Sequence, residues 1–135
     1  MRKPKAPWFV RFVVHTKDGR SGRRMGVFQA AGHLRDWPHL SEEYGVRLEE
    51  IRDWFNQNLE RPERLSVSAK PNKKAQAISW FKESAIEHIT QIRAMIRILE
   101  AHGMMVERIR TQRPGYVVYE DEHQVAAYPF ADTPT

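Results

Sequence analysis

The chain has 135 residues, 41% hydrophobic and 29% charged, enough for one domain with a real core and a solvated surface. It contains no cysteine, which excludes disulfides, thiol nucleophiles and cysteine-based zinc or iron–sulfur sites. The formal charge is +5 at pH 7, and it is uneven: residues 1–25 hold eight Lys or Arg against the single Asp18.

The segment Met1-Arg2-Lys3-Pro4-Lys5 has the charge of the first part of a signal peptide. The stretch that follows, Trp8 to Val14, is interrupted by Arg11 and alternates like a strand, with no small-residue cleavage site. No apolar run approaches the roughly 18 residues of a spanning helix. A cytoplasmic protein without membrane contact is expected.

Along Phe9 to His15, the side chains of Val10, Phe12 and Val14 fall on one face, and Phe9, Arg11, Val13 and His15 on the other. Lys17-Asp18-Gly19-Arg20-Ser21-Gly22 then has hairpin chemistry, with Arg24 to Ala30 as the returning strand. Together they predict a basic N-terminal β-hairpin over 8–30. Residues 31–40 read as irregular, since Trp37-Pro38 argues against a helix running through.

Ser41 before Glu42 and Glu43 suits a helix start, because acids favour the positive N-terminus. Leu48, Ile51, Phe55 and Leu59 recur at helical spacing, predicting a helix over about 46–59. Residues 65–75 read as a loop and 77–81 as a short strand. Ser84-Ala85-Ile86-Glu87 forms a capping-box pattern. Ile86, Ile89, Ile92, Ile96 and Leu99 follow it as an apolar stripe and Gly103 as a stop, so a helix is predicted over about 84–102. The Ile89, Ile92, Ile96 and Leu99 stripe is expected to bury itself against Phe12, Val117 and the preceding helix.

From residue 104 to 128 the composition returns to strands, read as a C-terminal meander with turns at Arg113-Pro114-Gly115 and Glu120-Asp121-Glu122. Residues 129–135 read as an exposed tail. The whole predicts an α+β domain over 1–135: a mainly antiparallel sheet of about five or six strands, with two main helices on one face. Trp80-Phe81-Lys82, His102-Gly103 and the stretch from Gly115 through Val125 resemble small uncharacterised bacterial proteins of similar length. That resemblance implies no activity and supports the fold alone, and the basic N-terminus lies outside it.

Lys17, Arg20, Arg23 and Arg24 surround Gly19 and Gly22, with Arg2, Lys3 and Lys5 able to extend the patch. Guanidinium forks match phosphate, and glycines let backbone N–H groups approach closely. Such a hairpin can clamp a sugar-phosphate backbone, with Trp8 or Phe9 as a stacking face. Arg93, Arg97, Arg108 and Arg110 form a second candidate basic surface, whose plainer reading is pairing with Glu100 and Glu107.

Glu120, Asp121, Glu122 and His123 carry the atoms for a cation or a general base. Consecutive strand residues point to opposite faces, however, so a solvated turn is the simpler account. A nuclease arrangement of Glu107, Glu120 and Lys82 can be drawn, but nothing in the sequence selects it. Histidines 15, 33, 39, 88, 102 and 123 include no pair at metal-binding helical spacing. His88 is expected on the polar side of its helix and His102 at the helix C-terminus. With no nucleophile elbow, phosphate loop or dinucleotide motif, no catalytic residue, cofactor or metal is expected. Two classes stand: a small protein that binds DNA or RNA, or forms part of a ribonucleoprotein, through phosphate contacts, and a non-enzymatic interaction module. The second would dock on an acidic protein partner, as a phage or mobile-element inhibitor of a host nucleic-acid machine does. The oligomeric state is not legible.

Overall fold

The computed structural model describes residues 6–19, 22–61 and 77–135. Arg2, Lys3, Lys5, Arg20 and the predicted loop at 65–75 lie outside the described residues. Among the described residues the fold is α+β, with a six-stranded antiparallel sheet and three helices. The elements run β1 (Phe9–Lys17), β2 (Arg24–Gly26), α1 (Val27–Arg35), α2 (Glu42–Asn58), β3 (Ile78–Lys82), α3 (Ile86–Ala101), β4 (Val106–Thr111), β5 (Tyr116–Glu120) and β6 (Gln124–Tyr128). The strand order is β2-β1-β3-β6-β5, with β4 also pairing β1.

The chain divides into two compact units. One draws on the described residues of Met1–Arg11, Pro62–Ala85 and Ile109–Thr135, and the other on those of Phe12–Arg61 and Ile86–Arg108.

In the first unit β3 is flanked on both sides. Val10 faces Phe81 on one edge, and Trp80 faces Val125 on the other. Trp80, Val125 and Ala127 are buried there with Val118. Beyond β6, β5 pairs with a bulge between Val117 and Tyr119. An extra residue at a bulge changes which side chains point inward. Val118 turns in and Val117 is exposed, which corrects the expectation that Val117 packs in the core.

The C-terminal region departs from a simple meander, because β4 pairs with β1 and not with β5. Gly115 stands where the chain passes from β4 to β5, with φ +132°. A Cβ on it would meet the Tyr128 carbonyl oxygen at 1.9 Å, so the bend accepts glycine alone. Residues 129–135 are anchored through Phe130 and Thr133, while Ala131, Asp132 and Pro134 stay exposed as expected of a tail. Thr133 is buried, its Oγ1 accepting from the Phe130 N–H and donating to the Arg113 carbonyl, while the Phe130 ring meets Tyr116 edge-on at 4.8 Å. Two prolines and little periodicity concealed this anchoring in the sequence.

In the second unit Phe12, Val13 and Val14 of β1 are all buried, so both faces of that stretch are covered until His15. The predicted alternation of a core face and a mixed face is corrected accordingly. The returning strand is also shorter than predicted. It ends at Gly26, and α1 occupies residues read as strand and irregular chain. Val27, Ala30, Ala31 and Leu34 form its buried stripe at i, i+3, i+4 and i+7, a helical signal present in the sequence. The helix stops before Trp37-Pro38, with the Asp36 and Trp37 N–H groups bonding back to the His33 and Leu34 carbonyls.

Ser41 caps α2, its Oγ accepting from the Tyr44 N–H at 3.3 Å, so the helix begins four residues before the predicted 46. Leu48, Ile51 and Phe55 are its buried side chains. α3 packs against both α1 and α2. Its buried side chains are His88, Ile92, Met95, Ile98 and Leu99, while Ile89 and Ile96 are only half-buried and Ile86 is 72% exposed. The core-facing stripe is thus rotated from the predicted isoleucine row. Gly103, at φ +84°, ends the helix as expected.

Candidate functional site

The N-terminal hairpin closes through backbone bonds. The Asp18 N–H donates to the Arg23 carbonyl at 2.7 Å, and the Gly22 N–H donates to the Asp18 carbonyl at 2.9 Å. Gly22 adopts φ +70°, the left-handed region that favours glycine, while Gly19 does not. The Asp18 carboxylate accepts from the Gln29 side chain at 3.2 Å, tying the turn to α1.

The basic residues of this turn divide by environment. Lys17 is exposed, Arg23 is half-buried, and Arg24 is ion-paired with Glu107. Arg24 therefore does not project into solvent as a free phosphate ligand. It fastens β2 to β4, and Glu107 is unavailable to Arg108 or Arg110 in the way the sequence suggested.

The second basic surface also divides. Arg93 and Arg97 lie one turn apart on the exposed side of α3, and Arg108 is exposed on β4. Among the described residues none of these three forms an ion pair. Arg110 is different. Its Nε and Nη2 both donate to the Glu83 carboxylate, and its guanidinium lies 4.3 Å from the Trp8 ring centre. The Glu83 N–H in turn donates to the Trp8 carbonyl at 3.1 Å. The hydrogen bond to Glu83 raises the Arg110 pKa, desolvation lowers it, and attraction to Glu83 raises it again, leaving it above the usual guanidinium value. No local pattern in the sequence joins Trp8, Glu83 and Arg110. Only folding brings them together.

The acidic run is a built turn. Asp121 Oδ1 accepts the N–H groups of His123 and Gln124 at 2.8 and 3.0 Å. Its Oδ2 accepts from the Tyr119 hydroxyl and the Gln124 side-chain amide at 2.8 and 3.0 Å. Partial burial pushes the Asp121 pKa up, but these bonds, with the Gln124 amide foremost, together hold it below the ordinary carboxylate value. Glu120 pairs with Lys82 at 2.6 Å, while Glu107 is held by Arg24, so two of the three residues of the drawn nuclease arrangement neutralise each other. Among the described residues no group of three or more His, Asp or Glu is placed to hold a metal.

His88 does not face solvent as expected. It is buried, its Nε2 lying 2.8 Å from the Asn58 carbonyl oxygen, with the Trp54 ring edge-on at 4.9 Å. A free carbonyl at the C-terminus of α2 needs a donor, and the imidazole supplies it inside the core. His102 performs the same service within α3, its Nδ1 standing 2.7 Å from the Ile98 carbonyl oxygen. No helix among the described residues is long and apolar enough to cross a membrane.

No protein-family model, curated protein or solved structure matches this chain.

Proposed function

We propose that this protein binds nucleic acid, DNA or RNA, through phosphate contacts made by its N-terminal segment, and does so without catalysis. The observation that carries the reading is the charge of residues 1–25 in the sequence, eight cations against Asp18, with Lys17 and Arg23 flanking a turn that Gly22 shapes. A dense local positive field binds a polyanion by releasing its condensed counterions, whatever the base sequence. Lys17 and Arg23 are the described side chains of the turn assigned this role, and Arg20, Arg2, Lys3 and Lys5 are the further cations of the sequence proposed for it. Arg24 supports the hairpin from behind through Glu107.

The test is a titration of generic duplex DNA and single-stranded RNA at two salt concentrations. Wild type should lose affinity steeply with salt. The Lys17→Ala, Arg20→Ala, Arg23→Ala triple variant should bind more weakly across all sequences, its salt slope reduced by about one unit for each phosphate contact removed. Binding that is absent in wild type at low salt, or unchanged in the triple variant, removes the proposal. In that case an acidic protein captured through the same residues, with the loss confined to association rate, becomes the reading to pursue.

A further inference from the structure

We infer that the outward face of α3 is a self-association surface on which a second copy of this chain docks antiparallel. This rests on observations separate from the phosphate reading.

The core takes one stripe of α3, through His88, Ile92, Met95 and Leu99. A second stripe runs through Ile86, Ile89, Arg93, Ile96 and Glu100. Its spacing of three, four, three and four residues is that of a helix–helix seam. Ile86 is 72% exposed, Ile89 and Ile96 are half-buried, and Arg93 and Glu100 are exposed. Among the described residues neither Arg93 nor Glu100 has an ion-pair partner. Three isoleucines that a monomer leaves partly wet are thus interleaved with one cation and one anion, both free to pair.

The order of those charges selects the partner and its direction. A parallel second copy in register would set Arg93 against Arg93, which is repulsive. An antiparallel copy, with the two-fold axis between Ile96 and Arg97, sets Arg93 opposite Glu100 of the other chain and places the two Ile96 side chains near the axis. The symmetry repeats the ion pair, so one complementarity is used twice. The same direction carries the Ile86 end of one helix toward the Met105 end of the other, and Met105 is 66% exposed. The seam spans about four helical turns, roughly 21 Å, so the interface is small and its dissociation constant belongs in the micromolar range or weaker.

Sedimentation equilibrium of nuclease-treated full-length protein, from micromolar to about millimolar concentration, tests this. Wild type should show a reversible monomer–dimer equilibrium. Arg93→Glu, which sets two glutamates face to face, should weaken it on the order of tenfold or more, and Glu100→Arg likewise. The double variant Arg93→Glu, Glu100→Arg restores the complementarity and should recover the dimer. Ile86→Ser removes apolar contact without touching charge and should also weaken association. A wild type that stays monomeric throughout overturns the inference, as does a dimer unmoved by Arg93→Glu or by Ile86→Ser. Failure of the charge swap to restore the dimer overturns it as well. Loss of nucleic-acid binding in the hairpin triple variant leaves this equilibrium unchanged, so the two proposals fail separately.

Discussion

Arg24 on β2 forms an ion pair with Glu107 on β4, joining positions 83 residues apart in sequence. Both side chains keep part of their exposure, 29% for Arg24 and 50% for Glu107, so solvent screens the pair and its contribution is modest. A double-mutant cycle with Arg24→Ala and Glu107→Ala in urea unfolding should give a coupling of about 0.2–1 kcal/mol, decreasing with added salt. A coupling indistinguishable from zero at low salt would mean that the Glu107 carboxylate is not what holds Arg24.

The glycines of the two turns should differ sharply in tolerance. At Gly22 a Cβ meets nothing within 4 Å, so Gly22→Ala incurs only the left-handed backbone penalty, about 1–2 kcal/mol. At Gly115 the Cβ collides with the Tyr128 backbone as well, and Gly115→Ala should cost more than about 3 kcal/mol or prevent folding. Chemical denaturation of the two variants side by side decides the order.

The core stripe of α3 sets Leu99 apart from Ile86. Leu99 is fully buried, and Leu99→Ala should lower stability by about 2–5 kcal/mol. Ile86→Ala, at the far end of the helix, should stay within about 0.5 kcal/mol when measured at low protein concentration. Equal effects at the two sites would place Ile86 in the core.

Asp121 ties acid stability to one turn. Its folded pKa is depressed, so the stabilisation from its ionised form is fully present above the unfolded carboxylate pKa. That stabilisation is lost as pH falls through the lower folded value. At neutral pH Asp121→Ala should cost about 1–2 kcal/mol in lost hydrogen bonds. The gap between variant and wild-type urea midpoints should narrow steadily below about pH 4. A gap that stays constant with pH would show that the turn owes nothing to the charge.

Ser41 as a cap, Gly103 as a stop and Asp121 as a turn residue were legible because each acts within a few residues of its own backbone. Periodicity likewise located α2, and it located α3 without its orientation. Two overlapping apolar stripes lie on that helix, and which one faces inward depends on where α1 and α2 pack. α1 carried a readable stripe, Val27, Ala30, Ala31 and Leu34, that hairpin chemistry beside it obscured.

Composition and local chemistry by themselves determined the α+β class, the absence of thiol chemistry and the concentration of positive charge near the N-terminus. Tertiary structure alone decided what the individual polar and charged side chains do. It fastened Arg24 to Glu107, clamped Arg110 between Glu83 and Trp8, drew His88 inward to the Asn58 carbonyl, and left Arg93 and Glu100 outside. The physical reason is distance. Caps, turns and helical spacing are short-range and written in neighbouring residues, whereas an ion pair or a buried donor depends on elements that only the folded backbone brings within a few ångströms.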